Sequence, residues 1–553
     1  MSTPQPKLTA AVFLYEDSLP VTYLFQGTWA ARYTRSGNDW KIDAPFSVPH
    51  HLTVFWPGLT FTTAGHQRQD AFFEPTAGNL WITRDGKLIR YNRATKKAAA
   101  PVDLKSQLAV DTHFEKGVDA ALNTPELVTL FRGNQYCTFT AKGAVKQKKT
   151  ALPTGITHVD AACFVPTADK KGGTAYLFTG GTYRTCSLST TDGKLTLTGS
   201  EPTPIGRTWP RAPLTPPHLD IYVTGYSETF RISTNIDISD RDAPLPRKTW
   251  VSYHEMSGFM ASRGVFTPDG AHVYDADYDI LRYFDLPVDE AEEEAKQKWA
   301  YKPSGEKFDK PLNAPDWKSL WFSRNGGTDA GRIETDHGAK PSTHHKAPTI
   351  FPSPSKCRFS PSGDLLYCAE TFYMETKSRV HAFDIKQNKV TATSDKFDDT
   401  YPALACDDGT WVYAAGSKAV HKCAASAPKA VSEVRKWSTE RFYWPATATP
   451  DGRIVAVLKT GDSQNDAEVG IFDPATNILD TVKFSQCSIP HDTYSRIAVD
   501  PNGKLAFCIL ESISKSIVEI AMIDLKVRKV RRLRLPVAKR EYSAVNTVLP
   551  RWD

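Results

Sequence analysis

Apolar and aromatic residues occur along this chain in short runs that are separated by glycine, proline and aspartate. Short runs bounded by turn residues are typical of β-strands. Within the first 190 residues one pattern occurs four times: a few small or apolar residues, an aromatic strand and a turn glycine. The copies begin at Thr9, Asp70, Asp119 and Asp160. A strand pattern with a period of roughly 40 to 60 residues predicts a radially repeated β-fold.

A second pattern occupies the chain beyond residue 218. Turns such as Pro-Asp-Gly separate apolar strands, because proline presets φ and glycine adopts a positive φ at low cost. The last three intervals between turns, of 46, 43 and 51 residues, each suit one four-stranded blade. The interval of 93 residues before them must hold an extra blade or a large insertion. The turn glycines are Gly270, Gly363, Gly409, Gly452 and Gly503.

The first pattern resembles the hemopexin repeat. Asp-Ala-Ala and an apolar residue stand at 119–122 and 160–163, and Phe-x-Gly-x-x-Tyr follows at 131–136 and 178–183. The first copy has Thr9 in place of the aspartate. Four such repeats build a four-bladed propeller in that family, so the resemblance implies one over about residues 7–200.

The second pattern resembles the blades of YVTN- and WD40-like propellers. Several copies continue from the turn to a further strand that ends in an aspartate. With an additional strand at 221–224, the resemblance implies six or seven blades, and seven is the favoured number. The aspartates are Asp285, Asp384, Asp473 and Asp524.

We therefore predict an all-β protein of two β-propellers. Residues 1–198 form the four-bladed, hemopexin-like propeller, and residues 219–553 form the six- or seven-bladed one. The proline-rich residues 199–218 predict a stiff, extended linker. Residues 289–356 begin with an acidic, helix-favouring run and continue with polar and glycine residues, which predicts an inserted loop over one face.

Composition and charge limit the classes of partner. The 553 residues, of which 40% are hydrophobic and 11% aromatic, suit two or more cores. The formal net charge is only +6, from 68 basic and 62 acidic residues, so no nucleic-acid partner is expected. The basic run 526–534 alternates as an exposed edge strand does, and a patch for an anionic partner is the alternative.

Two further expectations concern compartment and thiols. No apolar segment approaches the roughly 18 residues of a membrane span. The first 30 residues contain no basic start followed by an apolar run, which predicts a cytoplasmic protein, or one released without a recognisable secretory signal. Nine cysteines, without close pairs in the sequence, predict reduced thiols rather than a disulfide framework or a zinc site.

The hemopexin resemblance also implies a structural ion. In hemopexin-like discs the main-chain groups of the innermost strands line an axial channel that can hold small ions. By that resemblance, carbonyls near Thr9, Asp70, Asp119 and Asp160 would bind Na⁺ or Ca²⁺, which prefer oxygen ligands. The alternative is a water-filled channel in which the aspartate side chains serve local turns.

Two other ligand sites are weaker predictions. His337, His344 and His345 offer imidazoles to a metal ion, although a surface loop with solvated histidines is the favoured interpretation. Haem carriers built from hemopexin discs hold the ligand beside a linker histidine, so the resemblance implies a haem site at the domain junction. Its residues would be His218, Trp209 for stacking, and Arg207 and Arg211 for the propionates.

Catalytic motifs are not evident in the sequence. It contains no Gly-x-Ser-x-Gly elbow, no glycine-rich phosphate loop and no His-Glu-x-x-His. The weak polar candidates are His254, Glu255, His491 and Arg496, which lie near predicted strand starts. We therefore predict a non-enzymatic binding or scaffold protein whose propeller faces take a protein, a glycan or a small molecule. The alternative is an enzyme (lyase, hydrolase or metal-dependent) with its site in the central cavity of the larger propeller.

Overall fold

The chain divides into two compact units built of small antiparallel sheets. Described residues up to 216 belong to unit 1, and those from 217 to 551 belong to unit 2. Eleven sheets, here called A to K, are formed by the described residues, so the prediction of an all-β protein is confirmed. The computed structural model describes residues 7–36, 39–43, 48–59, 71–76, 78–167, 172–199, 201–225, 229–237, 249–253, 265–267, 272–277, 280–286, 296–302, 308–315, 318–324, 329–335, 338–341, 344–346, 357–399, 402–406, 409–437, 443–450, 452–459, 466–489, 497–512, 518–534 and 542–552.

Sheets A to D lie in unit 1, and in each of them the first three strands pair in chain order. Sheet A contains β1 (Ala10–Glu16), β2 (Leu19–Gln26), β3 (Trp29–Ser36), β4 (Asp39–Ile42) and β5 (His50–His51). Sheet B contains β6 (Ala71–Thr76), β7 (Asn79–Arg84), β8 (Lys87–Asn92), β9 (Lys97–Ala98) and β10 (Val102–Asp103). Sheet C contains β11 (Ala120–Asn123), β12 (Leu127–Arg132), β13 (Gln135–Thr140) and β14 (Val145–Ala151). Sheet D contains β15 (Ala161–Pro166), β16 (Gly173–Thr179), β17 (Thr182–Leu188), β18 (Leu195–Leu197) and β19 (Thr203–Pro204).

The first strands of these four sheets meet one another. Strands β1, β6, β11 and β15 each lie at the end of a sheet and contact the first strands of the neighbouring sheets. Their alanines, among them Ala11, Ala71, Ala121 and Ala162, are fully buried. Small side chains at these positions allow the close approach of the strands that the repeat pattern predicts.

A second repeat, which the sequence analysis missed, lies at the outer side of the same sheets. In each sheet the main-chain amide of an apolar residue donates to a carbonyl of the tight turn before the third strand. The side chain of that residue is buried. The next buried apolar residue follows four positions later, as one helical turn requires. The four bonds are Leu52 to Thr28 (2.8 Å), Leu104 to Gly86 (2.9 Å), Leu152 to Asn134 (2.9 Å) and Ile205 to Gly181 (3.0 Å). The short helices of unit 1 are α1 (Leu52–Phe55), α2 (Leu104–Gln107), α3 (Thr112–Glu115) and α4 (Ile205–Thr208).

The fourth copy of this repeat corrects the predicted linker. Strand β19 pairs with β17 through Thr182 and Pro204. Trp209, just after α4, has no exposed surface and packs in the core of sheets A and D. The amide of Lys7 also donates to the carbonyl of Leu214 (2.9 Å), which ties the start of unit 1 to its end. Residues 203–214 therefore belong to unit 1 rather than to an extended linker.

Sheets E to K make up the described part of unit 2. Sheet E contains β20 (His218–Gly225), β21 (Thr229–Asp237), β22 (Thr249–Tyr253) and the last strand of the chain, β48 (Tyr542–Arg551). Sheet F contains β23 (Val265–Phe266), β24 (His272–Asp277), β25 (Ile280–Asp285) and β26 (Lys296–Tyr301). Sheet G contains β27 (Asp309–Asn313), β28 (Ser319–Arg324), β29 (Asp329–Glu334) and β30 (His344–Lys346).

The four remaining sheets follow in chain order. Sheet H contains β31 (Cys357–Phe359), β32 (Leu365–Phe372), β33 (Lys377–Asp384) and β34 (Lys389–Thr393), with a 3₁₀ turn at Tyr373–Glu375. Sheet I contains β35 (Ala403–Cys406), β36 (Trp411–Ala415), β37 (Ala419–Ala424) and β38 (Ser432–Lys436). Sheet J contains β39 (Tyr443–Ala448), β40 (Ile454–Lys459), β41 (Asp466–Asp473) and β42 (Ile478–Ser485). Sheet K contains β43 (Cys487–Ser488), β44 (Ile497–Val499), β45 (Leu505–Ser512), β46 (Val518–Asp524) and β47 (Val530–Arg534).

The long interval 289–356 holds a sheet, not an inserted loop. Strand β26 completes sheet F, and sheet G lies wholly within the interval. Lys296–Tyr301, at the end of the predicted helix, is extended and pairs with β25. The acidic start of that run lies outside the described residues. The correction follows from packing, because Phe308, Leu320 and Ile333 are buried against sheet F.

The core of unit 2 lies between consecutive sheets. Each apolar cluster takes its members from two neighbours, for example Val380 and Cys423 between sheets H and I, and Val469 and Ile523 between sheets J and K. Burying a side chain of this size contributes about 1.5–3 kcal/mol. Among the described residues, no helix is long and apolar enough to cross a membrane.

The predicted turns between the first and second strands have the expected backbone. Gly363, Gly452 and Gly503 have φ of 73°, 84° and 66°. In each of these turns, the polar residue directly before the proline accepts a hydrogen bond from a main-chain amide, and this bond closes the turn. These bonds join Ser360 Oγ to the amide of Leu365 (3.1 Å), Thr449 Oγ1 to Arg453 (3.0 Å) and Asp500 Oδ1 to Lys504 (2.7 Å).

Candidate functional site

The side chains predicted to mark an ion channel serve local turns. Asp70 lies outside the described residues, and the other three positions share one contact. Each side-chain oxygen accepts a hydrogen bond from the turn glycine that follows the second strand of its own sheet. The bonds run from the amides of Gly27 to Thr9 Oγ1 (2.8 Å), Gly133 to Asp119 Oδ2 (2.7 Å) and Gly180 to Asp160 Oδ2 (2.9 Å).

Asp160 is also neutralised by a basic side chain. The Nζ of Lys7 lies 2.9 Å from its Oδ1, and the carboxylate is buried. A carboxylate paired in this way is a poor ligand for a cation. Among the described residues, no group of three or more His, Cys, Asp and Glu could hold a metal ion. An axial ion would therefore depend on main-chain carbonyls, and that site remains a prediction.

The residues of the predicted haem site belong to both units, and each is described within its own unit. The ring of Trp209 lies among those of Tyr176, Phe178 and Tyr183, at centroid distances of 5.1–5.4 Å. Trp209 is thus part of the core and offers no face for haem stacking. Arg207 and Arg211 are exposed in unit 1. His218 begins β20 in unit 2, where it pairs with Asp237 and Arg551.

Most of the other predicted site residues lie outside the described part of the chain. These are His254, Glu255, His337, His491 and Arg496. His344 and His345 belong to β30, opposite Ile333 and Arg332 of β29. They therefore occupy an outer strand of sheet G rather than a loop.

The basic run at 526–534 includes an edge strand, in line with one of its two interpretations. Strand β47 lies at the end of sheet K and pairs only with β46 within the described residues. Arg532 contacts Glu519 at 3.4 Å, and Arg528 forms an ion pair with Asp480. Two of the basic side chains are thus matched by carboxylates of their own unit. Basic residues on an edge also discourage pairing with another chain.

A polar site on sheet H was not predicted. It consists of Glu370 on β32, Arg379 and His381 on β33, and Thr393 on β34. Register places Glu370 opposite Arg379, and His381 opposite Thr393. Directly opposed residues of an antiparallel sheet project from the same face, so the pairing of three strands assembles the site.

Hydrogen bonds join the four side chains into one network, here called the His381 network. His381 Nε2 lies 2.8 Å from Glu370 Oε2, and its Nδ1 lies 3.0 Å from Thr393 Oγ1. Arg379 Nε donates to the same Glu370 oxygen at 2.5 Å. Since the carboxylate can only accept, we assign the ring proton to Nε2, which leaves Nδ1 to accept from the threonine hydroxyl.

Burial and charge determine the protonation of His381 and Glu370 in this network. His381 is 3% exposed, and its pKa is lowered, chiefly by burial and to a smaller extent by the charge of Arg379, although the hydrogen bond and charge of Glu370 act to raise it. Burial alone would raise the pKa of Glu370, but the hydrogen bonds from His381 and Arg379 outweigh it, so that pKa is lowered. A neutral imidazole between a hydroxyl and a carboxylate is the arrangement of a general base.

The turn at the end of these strands projects an apolar side chain. We call residues 365–384, with β32, β33 and their connecting turn, the H hairpin. Met374, in the 3₁₀ turn, is 98% exposed. Below it, the Nζ of Lys396 lies 3.9 Å from the ring centre of Phe372 and donates to Glu375 at 2.7 Å. The cation–π contact and the ion pair brace the turn that presents Met374.

The neighbouring turn of sheet I is held by a buried carboxylate. Asp399 accepts hydrogen bonds from the amides of Ser417 (2.8 Å), Lys418 (3.0 Å) and Ala419 (3.0 Å). The hydroxyl of Ser378, on the H hairpin, donates to the Asp399 carbonyl (2.9 Å). Asp399 thus links β33 of sheet H to the turn between β36 and β37 of sheet I.

One signal in the sequence points to this region, a methionine where a turn residue is usual. It does not identify the His381 network, because the members of that network come together only through strand register.

Comparison with known proteins does not assign a family to the chain. No protein-family model and no curated protein matches it. A functionally unknown protein from Desulfotomaculum acetoxidans is 12% identical over 60% of this chain and 99% of its own, with a TM-score of 0.40. A candidate 6-phosphogluconolactonase from Bacteroides fragilis is 12% identical over 60% and 98%, also at 0.40. Hemopexin fold protein CP4 from cow pea is 17% identical over 37% and 96%, at 0.30. At these TM-scores the similarities carry no functional argument.

Proposed function

We propose that this is a binding protein built from two closed propellers, with four hemopexin-like blades in unit 1 and seven blades in unit 2. The contacts among β1, β6, β11 and β15 support the first ring. The pairing of β20 with β48 supports the second, because the last strand of unit 2 completes the sheet that its first strand opens. Ring closure makes a rigid platform, and connecting turns on such a platform are common binding sites.

The partner that the H hairpin suits best is a protein. The observation that carries this proposal is the 98% exposure of Met374 on a braced turn. A single exposed apolar residue has little meaning by itself. Here the turn is pre-ordered by Lys396, Phe372 and Glu375, so that little conformational entropy is lost when the methionine is buried in a partner. Methionine within a polar rim is typical of the centre of a protein interface.

The test replaces the exposed side chain and leaves its brace intact. Full-length wild type and Met374→Lys are used to capture proteins from cells of the source organism, and a captured protein is then purified. We expect calorimetry to show that Met374→Lys raises its Kd at least about tenfold, which is roughly 1.4 kcal/mol. The matched control is Ile478→Lys, because Ile478 is also exposed (53%) but lies at a turn of sheet J.

Two results would overturn the proposal of a protein partner. One is equal affinity of the purified partner for wild type and Met374→Lys. The other is saturable binding of a glycan or a small molecule that Met374→Lys leaves unchanged, with no protein bound. The first would move the binding surface away from the H hairpin, and the second would replace the class of ligand.

A hydrolase is the second candidate, because the hydroxyl, imidazole and carboxylate on sheet H stand in the order of a nucleophile, its base and an orienting group. The Thr393 oxygen would attack an ester carbonyl while His381 Nδ1, in an imidazole held by Glu370, takes its proton. The imidazolium would then protonate the leaving alcohol, and water, activated by the same imidazole, would release the acyl group from Thr393 as a carboxylic acid. We expect wild type, but not Thr393→Ala, to hydrolyse p-nitrophenyl acetate above the buffer rate. The control is Thr391→Ala, on the same exposed side of β34. Equal rates for wild type and Thr393→Ala would exclude this activity.

An ion in unit 1 is proposed as a structural element only. Main-chain carbonyls of β1, β6, β11 and β15 would hold Ca²⁺ or Na⁺, because the described Thr9, Asp119 and Asp160 side chains are engaged in turns. Millimolar Ca²⁺ should raise Tm in chelator-treated protein, and Asp119→Ala should retain that rise. Haem is not proposed, since Trp209 is buried in the core.

A further inference from the structure

Two cysteines that are well separated in the sequence form a pair on sheet H. Cys357 of β31 and Cys368 of β32 are directly opposed, and their sulfur atoms lie 3.1 Å apart. They are eleven positions apart in the sequence, so only the strand register brings them together. His381 lies directly opposite Cys368 and Thr393 directly opposite His381, so the four residues form one row across sheet H.

The pair differs from the other thiols in its exposure to solvent. All nine cysteines fall within the described residues, and Cys357 alone among them is partly exposed. Cys368 has no exposed surface, and burial raises its pKa well above the usual value for a thiol. An oxidant from solution would therefore meet Cys357 first, with Cys368 held behind it.

We propose that Cys357 and Cys368 form a reversible disulfide, which makes sheet H a redox-sensitive modification site. A disulfide requires a sulfur–sulfur distance of about 2.05 Å, so the two atoms must approach by roughly 1 Å. Directly opposed residues of antiparallel strands have Cα atoms about 4.5–5.5 Å apart, within the range that disulfides span. Rotation of the two side chains can supply the approach without a change of register.

The oxidant is a low-molecular-weight disulfide such as oxidised glutathione. The Cys357 thiolate attacks one glutathione sulfur, and the other glutathione leaves as a thiolate. Cys368, after loss of its proton, attacks the Cys357 sulfur in the mixed disulfide and expels the second glutathione. Two protein thiols are oxidised, one glutathione disulfide is reduced to two thiols, and the two protons released protonate the leaving thiolates.

The bond would tie the first strand of sheet H to the second. It would close a short loop that contains the turn at Ser360–Gly363, which lowers the entropy of the unfolded chain. The H hairpin would keep its conformation, since β32 and β33 already pair along their whole length. In a reducing compartment the pair stays as two thiols, whereas an oxidising one closes it.

The test incubates folded full-length protein with reduced and oxidised glutathione at fixed ratios until equilibrium. Remaining thiols are alkylated after denaturation, and the protein is mapped by mass spectrometry. We expect wild type to lose two alkylation sites and to yield a linked peptide pair containing Cys357 and Cys368. Dithiothreitol should restore both sites, and Tm should rise by about 5 °C on oxidation.

Single variants separate the two steps. Cys368→Ser should accumulate glutathione on Cys357, because the resolving thiol is missing, whereas Cys357→Ser should remain unmodified. The matched control Cys423→Ser, which removes a buried thiol of sheet I, should form the linked pair as wild type does. The proposal is overturned by a lasting glutathione adduct on Cys357 of wild type, by a link to another cysteine, or by no loss of alkylation sites at the most oxidising ratio.

Discussion

The polar residues that mark the repeats of this protein bind their own main chain. Thr9, Asp119 and Asp160 accept turn amides in unit 1, and Ser360 and Asp500 do so in unit 2. Such bonds satisfy amides that a tight turn would otherwise leave unpaired. Recurrence of an aspartate therefore indicates a turn at these positions, and recurrence alone is no sign of a metal ligand.

Gly416 offers a test of the Asp399 carboxylate, which holds the turn between β36 and β37 of sheet I. A Cβ at this position would lie 2.1 Å from Cγ of Asp399, which is itself buried. Gly416→Ala should therefore displace Asp399 and destabilise unit 2 by about 2 kcal/mol in urea unfolding. Gly206→Ala is the control, because its Cβ would meet no atom within 4 Å, and it should be neutral or slightly stabilising. Equal stability of the two variants would contradict the role of Asp399.

His421 makes the stability of unit 2 dependent on pH. Burial lowers its pKa, and the charges of Asp399, Glu433 and Asp398 offset only part of that effect. The unfolded chain then takes up the proton more readily, so stability is full above the unfolded pKa of about 6.5 and falls as pH decreases through it. Between pH 8 and 5, urea midpoints of His421→Gln should fall less steeply than those of wild type. His381, whose pKa is also lowered, should leave a residual slope. Identical slopes for the two proteins would show that His421 does not contribute.

At the scale of elements, each sheet of unit 1 depends on an outer turn as well as on its strands. The stability of Trp209→Ala tests this for sheet D. Removing an aromatic side chain from a packed core costs about 3–5 kcal/mol, and Trp209 has no exposed surface. The partly exposed Trp411, which carries Lys422 on its ring, provides the control, and Trp411→Ala should cost clearly less. Unchanged thermal unfolding of Trp209→Ala would mean that residues 203–209 act as a linker after all.

The sequence predicted strands and turns well where a local rule produces them. Proline and glycine punctuate the turns at Gly363, Gly452 and Gly503, and each glycine has the positive φ that the turn requires. The outer turns of unit 1 were missed because their shared feature is only a buried apolar pair four residues apart, such as Leu104 and Leu108. The length of the interval between Gly270 and Gly363 could not by itself distinguish sheet G from an inserted loop.

The candidate site could not be predicted from local rules. Glu370, His381 and Thr393 lie on three strands, and the thiols of Cys357 and Cys368 on two. Only the register of sheet H places them in neighbouring rows. Sequence spacing carries no information about register until the hairpin turns are located to the residue.

For the molecule as a whole, the proposal assigns different tasks to the two units. Unit 1 repeats one structural plan four times, with its marked side chains engaged in turns. Unit 2 presents the exposed Met374 and, on sheet H, the hydrogen-bonded side chains around His381. Binding should therefore follow changes in the H hairpin and be insensitive to changes on the surface of unit 1.

Site-specific crosslinking from position 374 shows directly whether a protein binds at the H hairpin. A photoreactive p-benzoylphenylalanine replaces Met374 in the full-length protein, and the same group at Ile478 is the control for a nonspecific apolar contact. We predict one protein crosslinked from position 374, displaced by excess unlabelled wild type and absent from position 478. Equal labelling from both positions, or a displaceable partner captured only from position 478, would show that the H hairpin is not the binding surface.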